Sequence, residues 1–195
     1  HSAHRMGRQA KAAIELARDQ VAALLPAGGR VIFTSGATEA LNLAIRGSGE
    51  GGTVSYSAIE HSAVGDTAQA AGKSHVLNVA SNGQGNTKQD LPADTRLVCV
   101  MQANYEIGTN QPAIQWHRKA NQLYSLFLCD ALMHYGRIDV TAVAMTPLSA
   151  PTILRLKLCG PTSPCTSLYR PPSQRCGRRS SGVCSRAPSH PLNRA

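Results

Sequence analysis

Apolar residues recur at intervals of three and four near the start of the chain. Charged and amide side chains fill the positions between them, so the pattern predicts one amphipathic helix of about five turns. Pro26 and the Gly28-Gly29 pair end this helix. Its apolar positions are Met6, Ala10, Ala13, Ile14, Ala17, Val21, Leu24 and Leu25.

Short continuous apolar runs follow, and each of them predicts a strand. The runs cover residues 31–34, 53–57, 75–80, 97–101, 126–129 and 140–145. Helical patterns lie between several of them, as at 40–45, 63–71 and 114–121. Solid apolar runs separated by helices are typical of parallel sheets that are covered on both faces. The sequence therefore predicts an α/β fold, a mostly parallel sheet with helices on both faces.

The alternating pattern stops after Ser149, which divides the chain into a body at 1–150 and a tail at 151–195. The last 46 residues hold 7 of the 11 prolines and no acidic residue. We expect this basic tail, rich in Pro, Ser, Arg and Cys, to be disordered. Residues 1–149 carry 12 basic and 11 acidic residues, a net charge of +1, whereas residues 150–195 carry 8 basic residues and none acidic. The net charge of +9 thus says little about the body.

The positions of the cysteines and the lengths of the apolar runs indicate the cellular compartment of the protein. Cys99 and Cys129 lie in apolar runs of the body, which is typical of buried free thiols in a reducing compartment. No apolar run approaches the roughly 18 residues of a membrane span, and nothing resembles a signal peptide. We therefore expect a cytoplasmic protein without a membrane partner.

The junction at residues 34–39 is the most informative stretch of the body. A strand that breaks at Ser35-Gly36 and restarts as a helix directs its first N–H groups toward open space. Such donors, together with the helix dipole, hold phosphate groups. Gly36 permits close backbone approach, and Thr38 adds a hydroxyl donor. An ordinary helix cap explains the same spacing, and this alternative stays open.

Ligand groups in a doubly wound sheet project from the carboxyl ends of its strands. Those ends carry the phosphate cradle, an imidazole, an amide and a carboxylate, a combination that suits an aromatic phosphate cofactor. The residues are Ser35 to Thr38, Glu60-His61, Asn104, Asp130 and Ser149. A carboxylate at Asp130 can keep a pyridine nitrogen protonated. Asp130 could instead cap a helix at 131–135, and His61 could be a surface histidine or a satisfied core residue.

These segments, in this order, resemble the cysteine desulfurase group of the class V aminotransferase family. The similarity covers about three quarters of the chain and includes several long motifs, which makes it specific. The motifs are HRMGR at 4–8, IFTSGATEA at 32–40, EHSAV at 60–64, VMQANYEIGTNQP at 100–112, DA at 130–131 and SA at 149–150.

The resemblance implies the large domain of a fold-type I pyridoxal-phosphate enzyme, a homodimer in the family. It implies a transferase that takes sulfur from cysteine, leaves alanine and feeds iron-sulfur cluster assembly. Selenocysteine lyases share the motifs, so selenocysteine is an alternative substrate. By position, Ala37 and Thr38 would bind the cofactor phosphate, His61 would stack on the ring and Asp130 would pair with its nitrogen. Asn104 and Ser149 complete the implied cofactor-binding set.

The departures from the family fall on the chemistry. In the family, His-Lys follows the Ser-Ala pair, and the lysine forms the Schiff base to the cofactor. Here Thr152 occupies that position, so no catalytic residue is assigned, and Lys157 is not expected to replace it. Tyr105 stands where the family has a cofactor-contacting Asn, with Asn104 as a stand-in, and Met133 replaces a Gln. From the resemblance we also expect that the family's opening strand and turn before His1, and its small C-terminal domain, have no counterpart in this sequence.

We interpret the chain as a truncated and frameshifted copy of such an enzyme, catalytically defective, because the motifs give way to Arg/Ser/Pro-rich sequence within one residue of Ala150. Translating the other two frames after codon 150 should reveal a His-Lys motif. A non-catalytic partner subunit and a nucleic-acid-binding tail remain alternatives, although Tyr169 is the tail's single aromatic residue. The tail cysteines lack a close Cys pair, so no metal site is predicted.

Overall fold

The computed structural model describes residues 4–23 and 30–131, and the backbone of residues 152–160 and 163–170. Helices and short strands alternate along most of this length. The helices are α1 (Arg5–Ala22), α2 (Ala37–Arg46), α3 (Ser62–Ala70) and α4 (Ala113–Gln122). The strands are β1 (Arg30–Thr34), β2 (Thr53–Ser57), β3 (Ser74–Leu77), β4 (Thr95–Met101), β5 (Ala103–Asn104), β6 (Thr109–Asn110), β7 (Leu126–Asp130), β8 (Thr152–Gly160) and β9 (Ser163–Arg170).

Seven of these strands form one sheet in the order β1-β9-β8-β7-β4-β2-β3. Neighbouring strands from β8 to β3 pair in parallel, and β9 is antiparallel to both of its neighbours. The prediction of a mostly parallel α/β sheet is confirmed. The parallel arrangement brings the carboxyl ends of β2, β4 and β7 to one edge, which we call the carboxyl edge.

Two apolar cores cover the two faces of the sheet. Alternate residues of a strand point to opposite faces, so Val98 and Phe127 join one core, whereas Leu97 and Leu128 join the other. Trp116 and Ala120 of α4 complete the first core, and Val21 and Ala22 of α1 pack at its side. The second core contains residues of α2 and α3, namely Ala40, Leu41, Ala44, Ile45, Ala63, Val64 and Ala68. The helices therefore lie on both faces, as the apolar runs predict.

The first helix forms where its pattern predicts it, with His4 as the N-cap and Arg5 as the first helical residue. The strand predicted at 75–80 ends at Leu77. The short β5–β6 hairpin is an element that the sequence did not predict, because strands of two residues carry no period. The predicted strand at 140–145, Met133 and residues 24–29, which include the predicted helix positions Leu24 and Leu25, lie outside the described residues.

The structure differs from the expected disordered tail at two ranges, where β8 and β9 extend the main sheet. The amino-acid composition of residues 151–195 predicts disorder, but the hydrogen bonds between paired strands are made by backbone groups, which every composition supplies. The open edge of β7 presents N–H and C=O groups that an extended segment satisfies whatever its charge. The other residues of 151–195 lie outside the described part of the chain, and the division at residue 150 remains a prediction.

Candidate cofactor site

The entrance of α2 carries no side-chain cap and faces open space at Gly36. Gly36 is the N-cap in an extended conformation, and no side chain caps the helix. A Cβ atom added at Gly36 would meet nothing within 4 Å. Thr38 lies exposed in the first turn, where the helix dipole is positive. This end of α2 can accept an anionic group that approaches from solvent.

The chain's own Glu39 shares this entrance. Its Oε2 accepts hydrogen bonds from the backbone N–H and the hydroxyl of Ser35, each at 2.5 Å. The Ser35 hydroxyl, followed by the Ser35 amide, lowers the pKa of the Glu39 carboxyl. Glu39 is therefore ionised at neutral pH, and an incoming anion has to be bound mainly by Thr38 and the donors near it.

His61 caps α3 at the end of the β2–α3 loop. Its Nδ1 accepts the N–H of Ala63 at 3.1 Å, which requires an unprotonated Nδ1. The neutral ring then carries its proton on Nε2. The residue is exposed, so it is a capping surface histidine whose ring is accessible from the carboxyl edge.

Thr38 and His61 line the same groove, which lies between α2 and α3 and has a volume of about 440 Å³. Two hydrogen bonds fix the groove walls. Asn42 donates to the Thr38 carbonyl at 2.9 Å and accepts from the Thr67 hydroxyl at 3.0 Å. Further lining residues are Arg46, Ser62 and Asp66. The structure thus brings the predicted phosphate and ring contacts together.

Asp130 ends β7 at the carboxyl edge and is 7% exposed. It pairs in register with Met101, the last residue of β4. Because β4 lies between β2 and β7, the strand leading to His61 is two strand spacings from Asp130, about 10 Å. Asp130 and the β2–α3 loop that carries His61 therefore lie at the same edge of the sheet.

Asn104 lies on β5 just beyond β4 and is 6% exposed. Its Oδ1 accepts the N–H groups of Glu106 and Ile107 at 2.8 and 3.1 Å. Its Nδ2 donates to the Ile59 carbonyl at 2.9 Å. The amide is thus bound mainly to backbone groups of two loops, a role that its side-chain type alone does not reveal.

Thr152, at the expected lysine position, begins β8 and pairs with Phe127. Asp130 pairs three residues further along with Arg155, so Thr152 lies about 10 Å toward the amino ends of the strands. The backbone therefore does not place residue 152 at the carboxyl edge. Ser149, another predicted cofactor contact, lies outside the described residues.

Two cysteines of the described chain, Cys99 and Cys129, are buried free thiols, as the sequence predicts. Burial raises the pKa of both thiols well above its ordinary value, and Glu60 adds to the effect at each. Asp130 contributes more than Glu60 at Cys129. Both thiols therefore stay protonated and poorly nucleophilic at neutral pH.

Metal-binding clusters and membrane-spanning helices are both absent from the described ranges. Among these residues no cluster of three or more His, Cys, Asp or Glu is arranged to hold a metal ion. None of the helices described is both long and apolar enough to cross a membrane.

Comparison with known proteins identifies the family of this chain. The family model for aminotransferase class-V matches residues 1–147. The cysteine desulfurase IscS of Aeromonas salmonicida is 38% identical over 155 residues, which cover 73% of this chain and 38% of that protein. A mitosomal cysteine desulfurase of Trachipleistophora hominis is 34% identical over 152 residues, 70% of this chain and 34% of that protein. The chain thus spans well under half the length of these relatives.

Solved structures give the same assignment. A NifS-like protein from Rickettsia africae has a TM-score of 0.73 and 26% identity, covering 86% of this chain and 49% of that one. A structure described as SspA in complex with cysteine has a TM-score of 0.71 and 28% identity, covering 86% of this chain and 52% of that one. This chain is a cysteine desulfurase-like member of the class V aminotransferase family.

Proposed function

We propose that the chain carries a site for pyridoxal phosphate at its carboxyl edge. The single observation that carries the proposal is the groove lined by both Thr38 and His61, with Asp130 on the same edge. The uncapped entrance of α2 fits a phosphate, the exposed His61 ring offers a surface for an aromatic ring, and buried Asp130 offers a carboxylate for the ring nitrogen. When bound, the coenzyme would supply an electron sink for amino-acid chemistry.

Each residue then has a distinct task. Ala37 and Thr38 bind the phosphate at the start of α2, where the helix dipole favours negative charge. His61 stacks on the ring, and its Nδ1 bond to Ala63 fixes the ring plane. Asp130 would offer its carboxylate to the ring nitrogen. The position of Ser149 is proposed from the family motif alone.

The bound coenzyme is held without a covalent link. Thr152 lacks an amine, and the register of β8 puts it about 10 Å from the level of Asp130. Sulfur transfer also needs an accessible thiolate, and among the cysteines whose side chains the structure describes, neither Cys99 nor Cys129 is one. We therefore expect coenzyme binding without conversion of cysteine to alanine.

The experiment is a titration of the purified chain with pyridoxal phosphate, followed by fluorescence and visible absorbance. We expect saturable binding, no adduct fixed by borohydride reduction and no alanine released from cysteine. The matched variants are His61→Ala and Thr38→Val, each weakening binding roughly tenfold or more, because a charged hydrogen bond or a ring contact is lost. Absence of saturable binding by the folded wild type would contradict the site, and a borohydride-fixed adduct would contradict its non-covalent character.

The partners proposed for the family's reaction are cysteine or selenocysteine as substrate, an iron-sulfur assembly system as sulfur destination and the cytoplasm as location. A homodimer or a complex with a catalytic subunit is proposed as well. Helix α1 favours such association, because Met6 and Ile14 on its apolar face are 68% and 48% exposed.

A further inference from the structure

The loop that carries His61 is tied to strands on both of its sides. On one side, Ala58 donates its N–H to the Leu77 carbonyl at 2.9 Å. On the other side, Met101 at the end of β4 donates its N–H to Oε1 of Glu60. Asn104, just beyond β4, donates to the Ile59 carbonyl at 2.9 Å. The two residues directly before His61 are therefore both held against the end of β4.

We propose that Glu60 and Asn104 are positioning residues that set His61 over the carboxyl edge. We call their bonds to Met101 and Ile59 the loop clamp. The inference deepens the coenzyme site proposed above and rests on it for its functional meaning. The structural part, that the clamp fixes His61, does not depend on any ligand.

The Glu60 half of the clamp satisfies a buried donor. Met101 is 4% exposed, and the Glu60 carboxylate accepts its N–H. A buried N–H without an acceptor costs free energy, so the strand end holds Glu60 in place. Because Glu60 directly precedes the N-cap of α3, fixing its side chain limits where the His61 backbone and ring can lie.

The Asn104 half joins the same loop to a turn. The side-chain oxygen of Asn104 holds the turn at Glu106 and Ile107, and its NH₂ group reaches the Ile59 carbonyl. One buried amide thus binds two loops at once, and moving either loop breaks a bond. This accounts for a buried amide at the carboxyl edge without requiring it to touch the coenzyme.

The conservative variants separate geometry from charge. Glu60→Gln keeps an oxygen that accepts the Met101 N–H, whereas Glu60→Ala removes it. Asn104→Asp keeps the acceptor for the turn but loses the donor to Ile59, whereas Asn104→Ala loses both. If the clamp positions His61, the position of the His61 ring should change in three variants and stay the same in Glu60→Gln. The three variants are Glu60→Ala, Asn104→Ala and Asn104→Asp.

The first readout is the long-range ¹H–¹⁵N spectrum of the histidine rings in the coenzyme-free protein, assigned with His61→Gln. In the wild type and in Glu60→Gln, we expect the ¹⁵N signal of His61 Nδ1 to be that of an unprotonated hydrogen-bond acceptor. In Glu60→Ala and Asn104→Ala, we expect a signal averaged over the protonated and unprotonated forms of Nδ1. Unchanged His61 signals in folded Glu60→Ala and Asn104→Ala would overturn the clamp, whether or not the protein binds a coenzyme.

The second readout compares dissociation constants for pyridoxal phosphate and inorganic phosphate. Loss of the clamp should weaken pyridoxal phosphate roughly three- to tenfold and leave phosphate nearly unchanged, because phosphate needs only the entrance of α2. Equal weakening of both ligands would indicate general loosening and overturn the positioning role. A wild type that binds neither ligand would refute the proposed function, while the ring spectra still decide on the clamp.

Discussion

Glu39 places a carboxylate beside the donors that a phosphate would use. It holds the amide and hydroxyl of Ser35, and these bonds lower its pKa, so it remains charged near neutrality. The negative charge of Glu39 therefore repels any external anion that binds at the entrance of α2. Sequence alone shows a Glu four residues after a Ser, which is equally consistent with simple helix capping.

We expect Glu39→Gln to strengthen binding of inorganic phosphate about two- to fivefold at pH 7, because one repelling charge leaves the helix terminus. Isothermal titration at low ionic strength measures the change. The control is Glu15→Gln on α1, which removes the same charge elsewhere. Salt should shrink the difference, because exposed charges are screened. A change of equal size in the control would trace the effect to net charge instead.

The buried thiols of Cys99 and Cys129 predict a loss of stability at alkaline pH. The pKa of each thiol is raised in the folded state, whereas cysteines of the unfolded chain have a pKa of about 8.5. Above that pH the unfolded state loses protons that the folded state retains, so the free energy of unfolding falls as pH rises.

Urea denaturation between pH 7 and 10 measures this fall. The double variant Cys99→Ala, Cys129→Ala should show a shallower slope, although it is less stable at pH 7 because it loses buried volume. Alkylation of the native protein at pH 8, followed by peptide mapping, gives an independent check. Both thiols should react only after denaturant is added, and rapid modification of either in the native protein would contradict their burial.

At the scale of elements, the sequence predicts helices and strands that show a periodic pattern of apolar residues. It does not predict features that depend on contacts between residues distant in the sequence. The apolar runs and the intervals of three and four predict β1, β2, β4, β7 and the four helices of the described residues. The β5–β6 hairpin is too short for a period. The Glu60 bond joins positions 41 residues apart, so it has no local signal. The strands β8 and β9 are held by backbone pairing, which cannot be predicted from amino-acid composition.

The space around Gly85, in the turn under α4, and around Gly65, inside α3, predicts opposite effects of an added methyl group. A Cβ atom at Gly85 would lie 2.9 Å from Nε1 of buried Trp116 and 3.5 Å from Oε1 of Gln111. Gly85→Ala should therefore cost about 1–3 kcal/mol by overpacking. The matched variant Gly65→Ala lies inside α3, where its Cβ would make ordinary contact with Tyr56 at 3.4 Å.

Gly65→Ala should raise stability by about 0.5–1 kcal/mol, because alanine loses less backbone freedom than glycine in a helix. Thermal melts followed by circular dichroism measure both variants against the wild type. Opposite shifts are expected, and a neutral Gly85→Ala would mean that the turn moves away from Trp116 without cost.

At the scale of the whole molecule, α1 is the part least explained by the single chain. Its apolar face is exposed along most of its length, and only Val21 and Ala22 at its end pack against the core. Arg18 adds a bond to the Val31 carbonyl and a contact over the Phe33 ring. A helix held at one end, with an apolar face in water, favours association with a second copy of the chain.

We expect Ile14→Lys to shift the chain toward monomer, because it places a charge in the middle of this exposed face. Stability of the monomer should change by no more than about 0.5 kcal/mol, since the side chain has little core contact to lose. The matched control is Ala12→Lys, which adds the same charge on the opposite side of the helix. Sedimentation velocity over a concentration series measures the distribution. If both variants and the wild type sediment alike, α1 does not form the contact between copies, and the homodimer proposal loses its structural support.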